Sequence, residues 1–152
     1  MFSINKLQQL KISQNWKIRR NVFFDIDPSD ELSEDYKFCN IYCQEDLLWM
    51  SYFDYNLVLG WYGADDLDDE NTGFMLVLYR GEDWNNSELL ELKRTKSKKD
   101  IVDKIEEISE VVISGFFDDK KGYEISENQA DYRYIGQHRN YSVMNNFNEL
   151  LK

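Results

Sequence analysis

His138 is the only histidine of the chain, and Cys39 and Cys43 are its only thiols, so little in the sequence can do nucleophilic or metal chemistry. A multi-histidine metal centre cannot be built from one imidazole. A thiol–imidazole pair of Cys39 with His138 would need a nucleophile motif around the cysteine, and neither residue sits in one. His138 lies between Gln137 and Arg139, where a solvated or structural role is expected. The spacing of Cys39 and Cys43 permits a disulfide, but without a secretion signal two reduced thiols in a core are expected. Neither a glycine-rich phosphate loop nor a strained nucleophile elbow occurs. With 29 acidic residues, a pair of carboxylates at hydrolase spacing carries no information. The expectation is a protein that is not an enzyme and needs no cofactor and no metal.

Acidic side chains are what the sequence has in excess, and their placement is uneven. The net charge is −11. Residues 1–24 hold five Lys/Arg and no acid, whereas residues 25–91 hold 18 acids against Lys37 and Arg80 alone. A surplus of this size costs stability by self-repulsion, and complementary charge on a cationic partner is what would offset it. Phosphate would be repelled, so nucleic acid is not an expected partner. The densest run is Asp65-Asp66-Leu67-Asp68-Asp69-Glu70. It fails the calcium-loop pattern, because counting from Asp66 places Asn71 at the sixth position and Val77 at the twelfth. Counting from Asp65 puts Leu67 at the third. The run is then either a solvated hairpin connection or an acidic contact surface. The candidate contacts for a basic partner are Asp65, Asp66, Asp68, Asp69 and Glu70, with Glu82 and Asp83 as a second patch.

The elements that must position these groups read as one α+β domain spanning 1–152, rich enough in apolar residues (42%) to bury a core without staples. Trp16 to Asp27 approximates period-two alternation and predicts a strand with a bulge near Arg19 and Arg20. Strands are also predicted at Leu48–Phe53, Asn56–Tyr62, Phe74–Tyr79 and Leu89–Arg94, joined by short turns as an antiparallel meander of about four to six strands. Trp49, Trp61 and Tyr79 on successive strands would either pack in the core or form a stacking platform. Ser97 opens a helix over 97–114, with Ile101, Ile105, Ile108 and Val112 on one face and Gly115 closing it, laid across one face of the sheet. Tyr123–Ile125 follows a turn. Short helices are predicted at Asn5–Ile12 and at Ser142–Leu151. The chain shows neither an apolar stretch of membrane-spanning length nor a signal peptide, so a cytoplasmic protein without membrane contact is expected.

Gly60-Trp61-Tyr62, Gly73-Phe74-Met75-Leu76, Asp83-Trp84-Asn85 and the Ser97-capped stretch through Glu107 occur in that order within residues 56–110. That succession resembles a group of small bacterial immunity proteins, which neutralise polymorphic toxins such as those of contact-dependent growth inhibition. Val58, Gly63 and Ser87 depart from the pattern, where an Asp and two prolines are usual, so the resemblance does not specify the toxin type. It implies a 1:1 complex in which an acidic surface covers the active site, or an adjacent patch, of a basic toxin C-terminal domain of nuclease type. The matched residues are scaffold and carry no contact assignments. The alternative reading of the charge is an acidic DNA mimic that inhibits a DNA-binding enzyme. It would want acids arrayed near phosphate spacing with few bases among them, and the clusters at Lys6–Arg20 and Lys93–Lys99 oppose it.

Overall fold

The computed structural model describes residues 6–26, 46–62, 72–84, 86–125 and 140–144. Its centre is a run of hairpins. Strands β1 (Lys17–Asn21), β2 (Leu48–Tyr52), β3 (Tyr55–Tyr62), β4 (Gly73–Arg80), β5 (Ser87–Thr95) and β6 (Tyr123–Ile125) pair in chain order, every pair antiparallel. A short strand β7 (Tyr141–Ser142) also pairs with β5, on the same edge as β6 and further along it. The fold is α+β, an antiparallel sheet with the helix α1 (Lys98–Ile113) packed against it.

Period-two alternation fixes which side chains meet the helix. Leu48, Met50, Tyr55, Leu57, Leu59, Trp61, Phe74, Leu76, Leu78 and Leu90 face Ile101, Ile105, Ile108 and Val112 of α1 in one buried cluster. Each of these aliphatic side chains contributes on the order of 1.5–3 kcal/mol by leaving water. Trp16 joins the cluster and donates its indole N–H to the Ser109 carbonyl at 3.0 Å. The helix begins where the sequence places it. Ser97 is extended and its hydroxyl accepts the Asp100 amide at 3.2 Å, while Gly115 ends the helix region at φ +87°.

The second face of the sheet has its own cluster of Met75, Val77, Tyr79, Leu89, Leu92 and Ile125, edged by Val58, Tyr62, Trp84 and Tyr141. β5 serves both faces through an irregularity in its register with β4: Leu78 opposes Glu91 and Tyr79 opposes Leu89, which leaves Leu90 unopposed. A second irregularity lies between Ile18 and Arg20 of β1, where a bulge is expected from the sequence. Gly122 must be glycine for reasons of space, since a Cβ there would stand 2.3 Å from the Leu89 carbonyl oxygen.

Two expected elements differ. Residues 6–12 are not helical: Gln8 donates to the Phe23 carbonyl, the Asp25 amide donates to Lys6, and Leu7 bridges Phe24 as an antiparallel pair. The spacing of Leu7 and Leu10 suggests a turn of helix, but an extended partner strand supplies the backbone bonds instead. The helix expected from Ser142 does not start there, because Ser142 ends β7 and Val143 and Met144 form a turn. The remainder of that expected helix, 145–151, lies outside the described residues.

Candidate functional site

The sheet brings the β2–β3 tip and the β4–β5 turn to the same end of the molecule. The Gly81 amide donates to the Asp54 carbonyl at 2.8 Å and ties the two together. Asn56, buried in β3, reinforces the tie: its side-chain amide donates to the Gly81 carbonyl at 3.1 Å, and its oxygen accepts the Trp49 indole N–H at 2.9 Å. One buried amide therefore fixes the positions of both turns and of Trp49.

The loop after α1 reaches this end from the helix side. Arg80, the last residue of β4, donates to the carbonyls of Phe117 and Lys120, each at 2.7 Å, and pairs with Glu88 at 3.1 Å. Tyr55 donates to the Asp118 carboxylate at 2.7 Å. Burial, followed by that hydrogen bond to an anion, pushes the Tyr55 hydroxyl up to about 12. Exposed carboxylates of Asp54, Glu82, Asp83, Asp118 and Asp119 thus gather around one end, with Lys120 held by Asp119 and stacked over Phe116.

Glu82 and Asp83, expected as contacts from the sequence, lie in this exposed turn. The other expected contacts, Asp65, Asp66, Asp68, Asp69 and Glu70, lie outside the described residues, as do Cys39, Cys43 and His138. Several acids of the 25–91 segment are paired internally. Asp25 is bound by Lys98, which holds its carboxyl below the usual range. Glu88 is held low by the Gly122 amide and by Arg80. Glu91 is buried on the helix face, where it accepts from the Ser142 hydroxyl and the amides of Val143 and Met144, with the Lys104 ammonium 3.7 Å away. Burial pushes the Glu91 carboxyl up despite these partners.

The three aromatic residues singled out in the sequence do not form one platform. Trp61 packs edge-on against Phe74 at 4.8 Å on the helix face. Tyr79 is buried on the second face against Trp84 at 5.1 Å. Trp49 alone stays 41% exposed, with the Arg19 guanidinium 5.8 Å from its ring centre and Arg19 Nε donating to Ser51 at 2.9 Å. Beside it, at the hairpin tip, Phe53 is 87% exposed.

Two open depressions flank Trp49. One, of about 320 Å³, is lined by Arg20, Asp46, Leu48, Trp49, Val58 and Tyr79. The other, of about 690 Å³, lies between Arg19, Trp49 and Phe53 on one side and Asp54, Asn56 and Glu82 on the other. Sequence reasoning finds the acids of the β4–β5 turn and misses Arg19, Phe53, Asp54 and Asn56. The signal for Phe53 was available, since an aromatic beside Asp in a two-residue hairpin tip stands where Asn or Gly is usual.

Among the described residues no group of three or more His, Cys, Asp or Glu is placed to hold a metal ion, and no helix is long and apolar enough to cross a membrane. No protein-family model matches the chain, and neither a curated protein nor a solved structure matches it.

Proposed function

We propose that this chain is an immunity protein, a non-catalytic inhibitor that binds a basic toxin domain of nuclease type 1:1 and covers its active site or an adjacent patch. The observation that carries the reading is the placement of exposed Asp54 and Glu82 in one open depression with exposed Trp49 and Phe53, with Asp83 next to Glu82 in the same turn. Charge there would steer a cationic partner, and aromatic side chains would hold it. The net charge of −11 and the resemblance over residues 56–110 support the same reading. The DNA-mimic alternative is weakened by the internal neutralisation of Asp25, Glu88 and Glu91 and by the exposed Lys17, Arg19 and Arg20 of β1.

The test is biochemical. The adjacent gene is read for a basic C-terminal toxin domain, and the chain is co-purified with a catalytically silenced form of that domain. A 1:1 complex by light scattering is expected, with an association rate that falls roughly tenfold or more from low to high salt. Absence of a complex, or a rate indifferent to salt, overturns the reading.

A further inference from the structure

We infer that Phe53, which lines one open depression with Trp49 and Arg19, is the apolar anchor of this docking surface and inserts into an apolar recess ringed by Lys and Arg on a partner protein. The inference rests on the function proposed above and divides the surface into an aromatic part that holds and an acidic part that steers.

Phe53 is the most exposed large apolar side chain among the described residues, at 87%. Its backbone adopts φ +53°, a region that Gly or Asn enters readily and a bulky side chain enters at a cost. Among the described residues its one ring contact is an edge-on approach to Tyr52 at 4.8 Å. Exposure and backbone strain together on one aromatic are poorly explained by stability of the free chain, and strained positions gather at binding surfaces.

Trp49 repeats the pattern more mildly. Its indole N–H is satisfied by Asn56 and the Arg19 guanidinium lies over its ring, which leaves a fixed and partly exposed indole at the surface. Pre-positioned Trp and Arg side chains are the types that dominate binding energy, since little freedom is lost when they are covered.

The charge around the anchor selects the occupant. Asp54 and Glu82 line the depression beside Phe53, outnumber its one cation, Arg19, and have no ion pair among the described residues, so a cationic rim on the partner complements them. A second copy of the chain would bring another −11, and a nucleic-acid backbone would meet these carboxylates. Strand addition at the nearby sheet edge is blocked, because β1 carries Lys17, Arg19 and Arg20 and an irregularity at 18–20.

The experiment compares wild type, Phe53→Asn and the pair Glu82→Gln with Asp83→Asn, using the silenced basic domain encoded beside the gene as the probe. Phe53→Asn is expected to leave Tm unchanged or raise it, to speed dissociation about tenfold or more, and to leave the association rate within about twofold. The acid pair is expected to do the reverse, with slower association, a flatter salt dependence and little change in dissociation. A Tm lowered by several degrees in Phe53→Asn makes the ring structural and overturns the anchor. So does an unchanged dissociation rate in a complex that forms normally, which leaves the immunity reading standing. Should wild type form no complex, the proposed function fails and takes the anchor with it. A concentration-dependent dimer of wild type that Phe53→Asn abolishes would assign the surface to a second copy and overturn the cationic partner.

Discussion

Arg80 shows how one side chain can hold an end of the molecule together. In the sequence it is one of two cations within a long acidic segment, and nothing marks it as more than a partial counter-charge. In the structure its planar fork serves the carbonyls of Phe117 and Lys120 and the Glu88 carboxylate together, and it approaches the Tyr55 hydroxyl at 3.4 Å. The sequence cannot reveal this, because Arg80 meets its partners across 8 to 40 residues of chain and two are backbone carbonyls of a turn. Arg80→Met should cost about 2–4 kcal/mol, since it strands those acceptors in a half-buried setting. Arg80→Lys should recover only part of that loss, because a single ammonium cannot reproduce the fork. Urea denaturation with an unchanged m-value is the check.

At the scale of elements, what was legible follows from local periodicity. β2 to β5 were readable as short apolar and aromatic runs bounded by turn residues, and α1 because its apolar residues recur every three to four and Ser97 and Gly115 mark its ends by their own chemistry. The extended run at 6–12 and the strand at 141–142 were not readable, since each exists only by pairing with a distant segment. Ser142 misleads for a specific reason. A serine before an amphipathic stretch resembles an N-cap, yet its hydroxyl is committed to Glu91 at 2.7 Å. Of the site, the acidic turn could be read from composition, whereas the aromatic half depended on knowing which face each strand residue takes. Glu91 is the pin that holds β7 on β5. Glu91→Ala should cost about 2–4 kcal/mol and free residues 141–144. Hydrogen exchange is the check, with the Val143 and Met144 amides expected to lose their protection while the amides of β3 and β4 keep theirs.

For the whole molecule, charge acts in two opposite ways. Exposed acids at one end repel each other, and paired acids such as Glu88 and Asp25 tie strands and helix together. The folded state holds both of these carboxyls below their ordinary values of 4.5 and 3.8. Their contribution to stability is therefore present above those values and is lost as the pH falls through the lowered ones. Glu91, held high by burial, has the opposite sign: its ionisation opposes folding as the pH rises through its raised value. Glu88→Gln should accordingly be less stable than wild type at neutral pH, with the gap narrowing as the pH is taken below 4.5, a trend that thermal melts across a pH series will show. The separation of Glu91 from its donors, 51 to 53 residues later in the chain, also bears on how the protein is made. A ribosome releases the carboxylate of β5 long before the groups that satisfy it. The nascent sheet then carries this carboxylate in its helix-facing layer with Lys104 but without its hydrogen-bond donors until residues 142–144 have been translated, and final consolidation waits for them.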